Sequence, residues 1–209
     1  MADTLRVSAT DIDALRWFRD DEEADLAALL DQLRRKLPPT ESMLAGTALH
    51  KALEMAPDGE FKGLAADGYT FSFETDAELD VPAIREMKAE RDYLADNCLV
   101  TLVGKVDGIH GRRIDDHKFT SRYDAERYLD SYQWRIYLSI FDADEFRWNV
   151  FEGRESAPKN YIIHNIHSLR MHRYPGMEAD IMRELEQFVA FARGYLPERI
   201  GKIADLMAG

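Results

Sequence analysis

Two aspartates, a lysine, a glutamine and a tyrosine fall close together between Val103 and Tyr137, in the stretch VGKVDGIHGRRIDDHKFTSRYDAERYLDSYQWRIY. Asp107 sits in an apolar, strand-like run, the chain reverses at His110-Gly111, and Asp115, Asp116 and Lys118 follow on a second run. Side chains alternate along a strand, so Asp116 and Lys118, two apart, share a face while Asp115 takes the other. Gln133 and Tyr137, four apart on the helical stretch that follows, stand one above the other on one helix face. Carboxylate oxygens suit hard cations such as Mg2+ or Mn2+, which keep part of their water and bridge to phosphate. An ammonium beside them can orient or deprotonate an attacking water, or offset charge growing on the phosphate. Together these groups form a kit for metal-assisted phosphodiester hydrolysis, although an Asp-x-Lys in a hairpin, taken alone, is more often a solvated surface pair.

The order of the polar positions says more than any one of them. A helical Gly46-x-x-x-His50 precedes Asp107, then comes Asp116-x-Lys118, then Gln133-x-x-x-Tyr137. In this order and spacing the chain resembles the PD-(D/E)XK nuclease superfamily. The likeness is to its RecB-like branch, which includes the nuclease domains of bacterial recombination helicases and the CRISPR-associated adaptation exonucleases. That branch is marked by a helical histidine, an aspartate at a strand end, a D/E-x-K strand and a following Q-x-x-x-Y helix. The matching positions are His50, Asp107, Asp116, Lys118, Gln133 and Tyr137, and the resemblance extends from about Ser8 to Tyr137.

The resemblance implies a restriction-endonuclease-like α/β core and a Mg2+- or Mn2+-dependent deoxyribonuclease. It further implies an exonuclease acting on DNA ends, in recombination, repair or phage DNA processing. Asp107, Asp116 and the backbone carbonyl of His117 would hold one or two metals, with His50 contributing. Lys118 would orient or activate water, and Gln133 and Tyr137 would organise the site. Arg122, in the connector after the lysine strand, is a weaker candidate for phosphate contact, and Glu54, one turn beyond His50, a weaker candidate for the metal site. Some members carry a four-cysteine iron–sulfur cluster; Cys98 is the only cysteine here, which excludes that cluster and any intrachain disulfide.

The elements that must position these groups can be read from periodicity and breakers. Ser8 or Thr10 can cap a first helix through Phe18; Trp17 and Phe18 could stack a base, though packing against a core is the commoner fate of such residues. Leu26, Leu29, Leu30, Leu33 and Leu37 give a second helix, about 23–36, an apolar face, and Pro38-Pro39 end it. A third helix from Thr40 or Ser42 to Met55, stopped by Pro57-Asp58-Gly59, carries His50, with Ala45 and Gly46 small enough for close approach to a sheet. A hairpin over 60–64 and 69–74 turns at Asp67-Gly68, an acidic surface run covers 74–80, and a helix is expected from Pro82 to Ala95. Strands at 98–106 and 114–120 present the aspartates, and one helix from Asp124 to Phe141 presents Gln133 and Tyr137. Strands at 145–152 and 161–168, separated by a polar loop, and a helix from Met177 to Leu206, broken near Pro197, complete the chain. His164 and His167, three apart on a strand, should face opposite sides and are set aside as a metal pair. His117, opposite Lys118 in facing, reads as a packing or surface residue.

With 209 residues, 45% hydrophobic and 11% aromatic, the chain reads as a single folded domain over 1–209. No long apolar run and no basic-then-apolar leader is present, so the expectation is a soluble, cytoplasmic protein of a bacterial cell or phage-infected host. The net charge of −12 is unusual for a partner of DNA, because phosphate binding relies on Lys and Arg. Its distribution is uneven: 11 Lys and Arg stand against 22 Asp and Glu in residues 1–100, but seven against six in residues 101–137. The expected architecture is a mixed central sheet of four to five strands flanked by helices, with the site at the strand ends where Asp107 and Asp116 meet. DNA is the expected partner, with a protein partner in recombination or repair able to supply affinity. A non-catalytic nucleic-acid- or protein-binding module on the same fold is the alternative that the acidic balance favours. A small-molecule phosphatase has no cue in the sequence.

Overall fold

Four two-residue stretches among the described residues, Asp67-Gly68, Asp96-Asn97, Gly111-Arg112 and Pro158-Lys159, join strands directly, and tight hairpin turns need a left-handed backbone that Gly, Asn and Asp tolerate best. Asp67, Gly68, Asp96, Asn97 and Gly111 have φ from 45° to 82°. In the computed structural model, which describes residues 2–56, 62–75 and 84–202, the chain opens with strand β1 (Asp3–Ser8) and helices α1 (Ala9–Asp20), α2 (Leu26–Leu33) and α3 (Glu41–Glu54). Strands β2 (Gly63–Ala66), β3 (Tyr69–Phe73), β4 (Ile84–Ala95), β5 (Cys98–His110) and β6 (Arg113–Thr120) follow. Helices α4 (Ala125–Asp130) and α5 (Gln133–Ile140), strands β7 (Glu145–Ala157) and β8 (Asn160–His172), helix α6 (Met177–Tyr195) and strand β9 (Gly201–Lys202) complete it.

The strands form one mixed sheet in the order β2-β3-β8-β7-β6-β5-β1-β9, with β4 paired to β5 off this path. The pairs β1/β5, β3/β8 and β6/β7 are parallel and the others antiparallel. Alternation along the strands sends two sets of apolar side chains to opposite faces. Val100, Leu102, Ile114, Trp148 and Val150 pack with Trp134, Tyr137, Ile181, Leu185 and Phe188 of α5 and α6. Phe71, Phe151, Tyr161 and Ile163 pack under Ala45, Ala48, Leu49 and Leu53 of α3. Among the described residues no helix is long and apolar enough to cross a membrane.

Several expectations are corrected. The sheet has nine strands among the described residues, more than the four to five anticipated, partly because β1 and β4 were not foreseen. Residues 84–95 are rich in helix formers, yet they pair antiparallel with β5 from Ile84↔Ile109 to Ala95↔Cys98. Pairing to a long neighbouring strand overrides that local preference, and the charged side chains suit an edge strand. Pro82, the break at 57–59 and the acidic run at 76–80 lie outside the described residues. The single helix expected over 124–141 is two, divided where Asp13 of α1 accepts hydrogen bonds from Ser131 Oγ and the Tyr132 N–H, both at 2.6 Å. The polar loop at 153–160 is mostly strand, turning only at Pro158-Lys159, and α6 stops at Tyr195. Gly46 is not a close-approach position, since a Cβ there would meet nothing within 4 Å.

The close approach lies instead at Gly104 of β5, over which α5 rests. A Cβ at Gly104 would come within 3.1 Å of Phe141, 3.2 Å of Ile140 and 3.3 Å of Tyr137. Gly104→Val should therefore destabilise the fold by about 1–3 kcal/mol through overpacking, read as a lower urea midpoint. An unchanged midpoint would mean that α5 does not lean on β5 at this point.

Candidate active site

Strands β5 and β6 stay together for only three residue pairs, Gly108↔Asp115, Ile109↔Ile114 and His110↔Arg113. Beyond them β6 continues beside β7, from Arg113↔Glu145 to Thr120↔Glu152, while β5 runs on beside β4 and β1. Asp107 and Asp116 are the next two residues in register, so they stand on either side of the opening. A backbone N–H at such a fork loses its strand partner and needs another acceptor. The Asp107 carboxylate supplies one, accepting the His117 N–H on Oδ2 at 2.7 Å.

The fork joins groups that a continuous sheet would keep apart. Asp116 and Lys118 point to the α5 side, where Gln133 Nε2 donates to Asp116 Oδ1 at 2.9 Å and Lys118 Nζ lies 2.5 Å from Asp116 Oδ2. Tyr137, one turn along α5, is buried beside them. Asp107 points to the α3 side, with His50 Nδ1 at 3.1 Å from its Oδ1. The His117 ring is buried on that side too, edge-on to Phe151 with centroids 5.8 Å apart and 6.4 Å from the ring of His50. Gln133 therefore holds one aspartate from one helix and His50 the other from a second helix.

Other residues singled out in the sequence go elsewhere. Asp115 is buried on the face opposite Asp116, bound by Arg147 at 2.7 and 2.8 Å and by Arg113 at 3.1 and 3.3 Å, a structural ion cluster. Arg122 is exposed and makes no hydrogen bond or ion pair with the fork residues; its own N–H donates to Thr120 Oγ1 at 3.2 Å. Glu54 borders a small recess with His50, Arg85, Glu86 and Asp107. His164 and His167 do not face opposite sides: a register shift between Glu152 and Gly153 lets both approach Glu152 Oε2, at 4.0 and 2.8 Å. Among the described residues no three His, Cys, Asp or Glu side chains stand close enough to enclose one metal ion, at this cluster or at the fork.

Burial sets the electrostatics. Asp116, 2% exposed, is pushed up to about 6 by burial, reinforced by the charge of Asp107 and only partly opposed by Lys118. Burial acts on Asp107 in the same sense, but the hydrogen bond and charge of His50, with smaller contributions from His117 and Lys118, outweigh it and hold that carboxyl low. Burial would weaken the Lys118 ammonium; the two carboxylates reverse this and leave it more firmly protonated than usual. The His117 ring is driven down to about 4 by burial, which keeps it neutral. Burial, with the negative charge of Asp116, raises Tyr137 to about 12. Asp116 Oδ2 is itself a buried oxygen without a well-directed hydrogen-bond donor.

Three supporting residues escaped the sequence reading. Asp13 ties the head of α5 to α1 and so sets where Gln133 sits. Arg85 donates to the carbonyls of Leu53, Glu54 and Ala56 at 3.4, 2.5 and 3.1 Å, fastening β4 to the end of the helix that bears His50. Glu86, in register opposite Asp107, has a left-handed φ of 58° and pairs with Lys105. A non-glycine residue in this region is uncommon enough to be informative, but it announces itself only in three dimensions.

No family model and no curated protein matches the chain. Solved structures do. One titled "Crystal structure of SSO0001" superposes with a TM-score of 0.53 at 15% identity, covering 89% of this chain and 76% of that one. An alkaline exonuclease, LHK-Exo, from Laribacter hongkongensis gives 0.45 at 16% identity over 96% and 94% of the two chains. The same exonuclease in complex with dAMP gives 0.42 at 16% identity over 90% and 88%. Only the first is near enough to bear on architecture, and at that identity it shows a shared mixed α/β fold and nothing of activity.

Proposed function

We propose that the chain is a divalent-metal-dependent nuclease that hydrolyses phosphodiester bonds of DNA, working as an exonuclease from DNA ends. One observation carries this reading: a strand fork sets Asp107 opposite Asp116 and Lys118, each aspartate being held by a different helix. Asp107, Asp116 and the backbone carbonyl of His117 would hold the cation, with His50 keeping Asp107 in place through its hydrogen bond. The Oδ2 of Asp116, buried and faced only by the Lys118 ammonium, suits such an ion, and a donor set of two carboxylates, a carbonyl and water suits Mg2+ or Mn2+ better than zinc. When bound, the metal would screen the phosphate charge and acidify a water.

The side chains divide the remaining work. The Lys118 ammonium, strengthened by the two carboxylates, orients or activates the nucleophilic water or offsets charge on the phosphate. Gln133 restrains Asp116 through Oδ1, so that its second oxygen is kept beside Lys118. Tyr137, protonated throughout the physiological range, keeps a hydroxyl proton next to the carboxylates. The setting in recombination, repair or phage DNA processing belongs to this proposal as well.

Wild type, Asp116→Ala and Lys118→Ala should be compared on linear and covalently closed DNA with Mg2+ or Mn2+. Each substitution should lower the rate on the order of 10²-fold or more, and only linear DNA should be degraded. Equal cleavage by all three proteins ends the proposal; cutting of closed circles replaces exonuclease with endonuclease.

A stability measurement checks the electrostatics independently. Between the ordinary value of 3.8 and about 6, the folded chain keeps an Asp116 proton that the unfolded chain has lost. Stability should therefore fall as pH climbs through that window and stay low above it. Asp116→Asn, which still offers Gln133 an acceptor, should raise metal-free stability near neutral pH by about 1–3 kcal/mol. It should also abolish the rise in Tm that Mn2+ gives the wild type. A metal-free loss of stability in this variant would show that Asp116 is a structural partner of Lys118 and not a strained metal ligand.

A further inference from the structure

Next to the fork lies a cavity of about 830 Å³, between α1, the segment joining α2 to α3, α4, the far end of β6 and Trp148 of β7. Its wall includes Lys118 and Gln133, so it is continuous with the candidate site, and also Trp17, Arg127, Tyr128 and Trp148. We propose that this cavity takes a single unpaired nucleic-acid strand and that Trp17 is the platform on which one of its bases stacks. The inference rests on the nuclease reading above and adds the form of substrate.

Trp17 is 40% exposed, whereas the other two tryptophans, Trp134 and Trp148, are 5% and 1% exposed. An indole left open on a cavity wall offers a flat face that any base can cover. The Arg127 guanidinium lies over this ring, 5.5 Å from its centroid, and among the described residues it makes no ion pair. A guanidinium stacked on an aromatic ring keeps its N–H groups free for a phosphate. Trp148 adds a second cue: its indole Nε1 is buried without an acceptor, and a buried donor of this kind normally has a partner. Lys118 Nζ is 5.2 Å from the centroid of the Trp148 ring, so the reactive ammonium and the aromatic wall are adjacent.

Depth distinguishes an unpaired strand from a duplex. Asp116 lies 2% exposed behind Lys118 and Gln133, the two cavity-wall residues that hold it, so a phosphate approaches from this side only on a chain slim enough to descend into the cavity. A base-paired helix carries its phosphates on a rigid cylinder that cannot enter. The charge of −12 agrees, because stacking supplies affinity that does not depend on a surplus of Lys and Arg.

The test is an indole-fluorescence titration of the full chain, without divalent ions, using a short oligothymidylate and a blunt duplex of equal length. Trp17→Ala and Trp17→Phe are titrated in parallel, and cleavage of both DNAs is followed separately with Mg2+. The oligothymidylate should quench wild-type fluorescence and bind at least about tenfold more tightly than the duplex. Trp17→Ala should abolish the quench and weaken binding about tenfold, raising KM more than it lowers kcat, while Trp17→Phe keeps most of the affinity without the quench. Equal affinity of Trp17→Ala and wild type, tighter binding of the duplex, or no binding of the oligothymidylate at all would overturn the platform. A quench that depends on Trp17, with no cleavage in any divalent ion, would leave the platform standing and remove the nuclease reading. Cleavage indifferent to Trp17→Ala would do the opposite.

Discussion

The site depends on the parting of β5 and β6 after three residue pairs. Had the ladder continued, the His117 N–H would have met a carbonyl, Asp107 and Asp116 would have been ordinary cross-strand neighbours, and the sheet would have separated the α3 side from the α5 side. Because the strands diverge, a carboxylate replaces the missing carbonyl at 2.7 Å. Groups from both faces then reach one gap. Burial accompanies this, since the helices that steady the two aspartates also exclude water from them, and in such surroundings charges interact strongly and are costly when unpaired.

That cost is where structure and activity meet. Burial strips Asp116 of water and Asp107 repels it across the fork, more than one ammonium offsets, so Asp116 retains its proton up to about pH 6. Folded proteins rarely leave such an arrangement without a use, and perturbed carboxylates in an enclosed site are a mark of one. On the proposed reading, a bound cation would relieve that cost. The acidic balance of the whole chain, awkward for a protein that coats duplex DNA, would be no obstacle to one that grips a strand by its bases as proposed.

Much of this was legible in the amino-acid order. The Asp116-x-Lys118 spacing forces a shared face in any strand, Gln133 and Tyr137 share a face in any helix, and Gly111 marks the reversal between the aspartates. The mixed α/β character followed from apolar runs alternating with periodic segments. What could not be read depends on contacts distant in sequence. Residues 84–95 carry helix-forming side chains and become a strand only because β5 offers a long edge. The division of α4 from α5 comes from Asp13, more than a hundred positions earlier, whose carboxylate takes the donors at Ser131 and Tyr132. The convergence of His164 and His167 on Glu152 comes from a register shift that no local pattern announces. Trp17, with no more to distinguish it than its neighbour Phe18, is exposed simply because its side of α1 lines a cavity.

The tie between Asp13 and the head of α5 has a temporal meaning. Residues separated by 118 and 119 positions meet there, and beyond its three pairs with β5 the strand β6 is flanked only by β7, which is translated later. A nascent chain emerging from the ribosome can form β1, α1 and the β4/β5 hairpin early, but it cannot steady Gln133 or seat Asp116 until about three quarters of its length has been made. The polar centre thus cannot assemble until segments far apart in the chain have both been made.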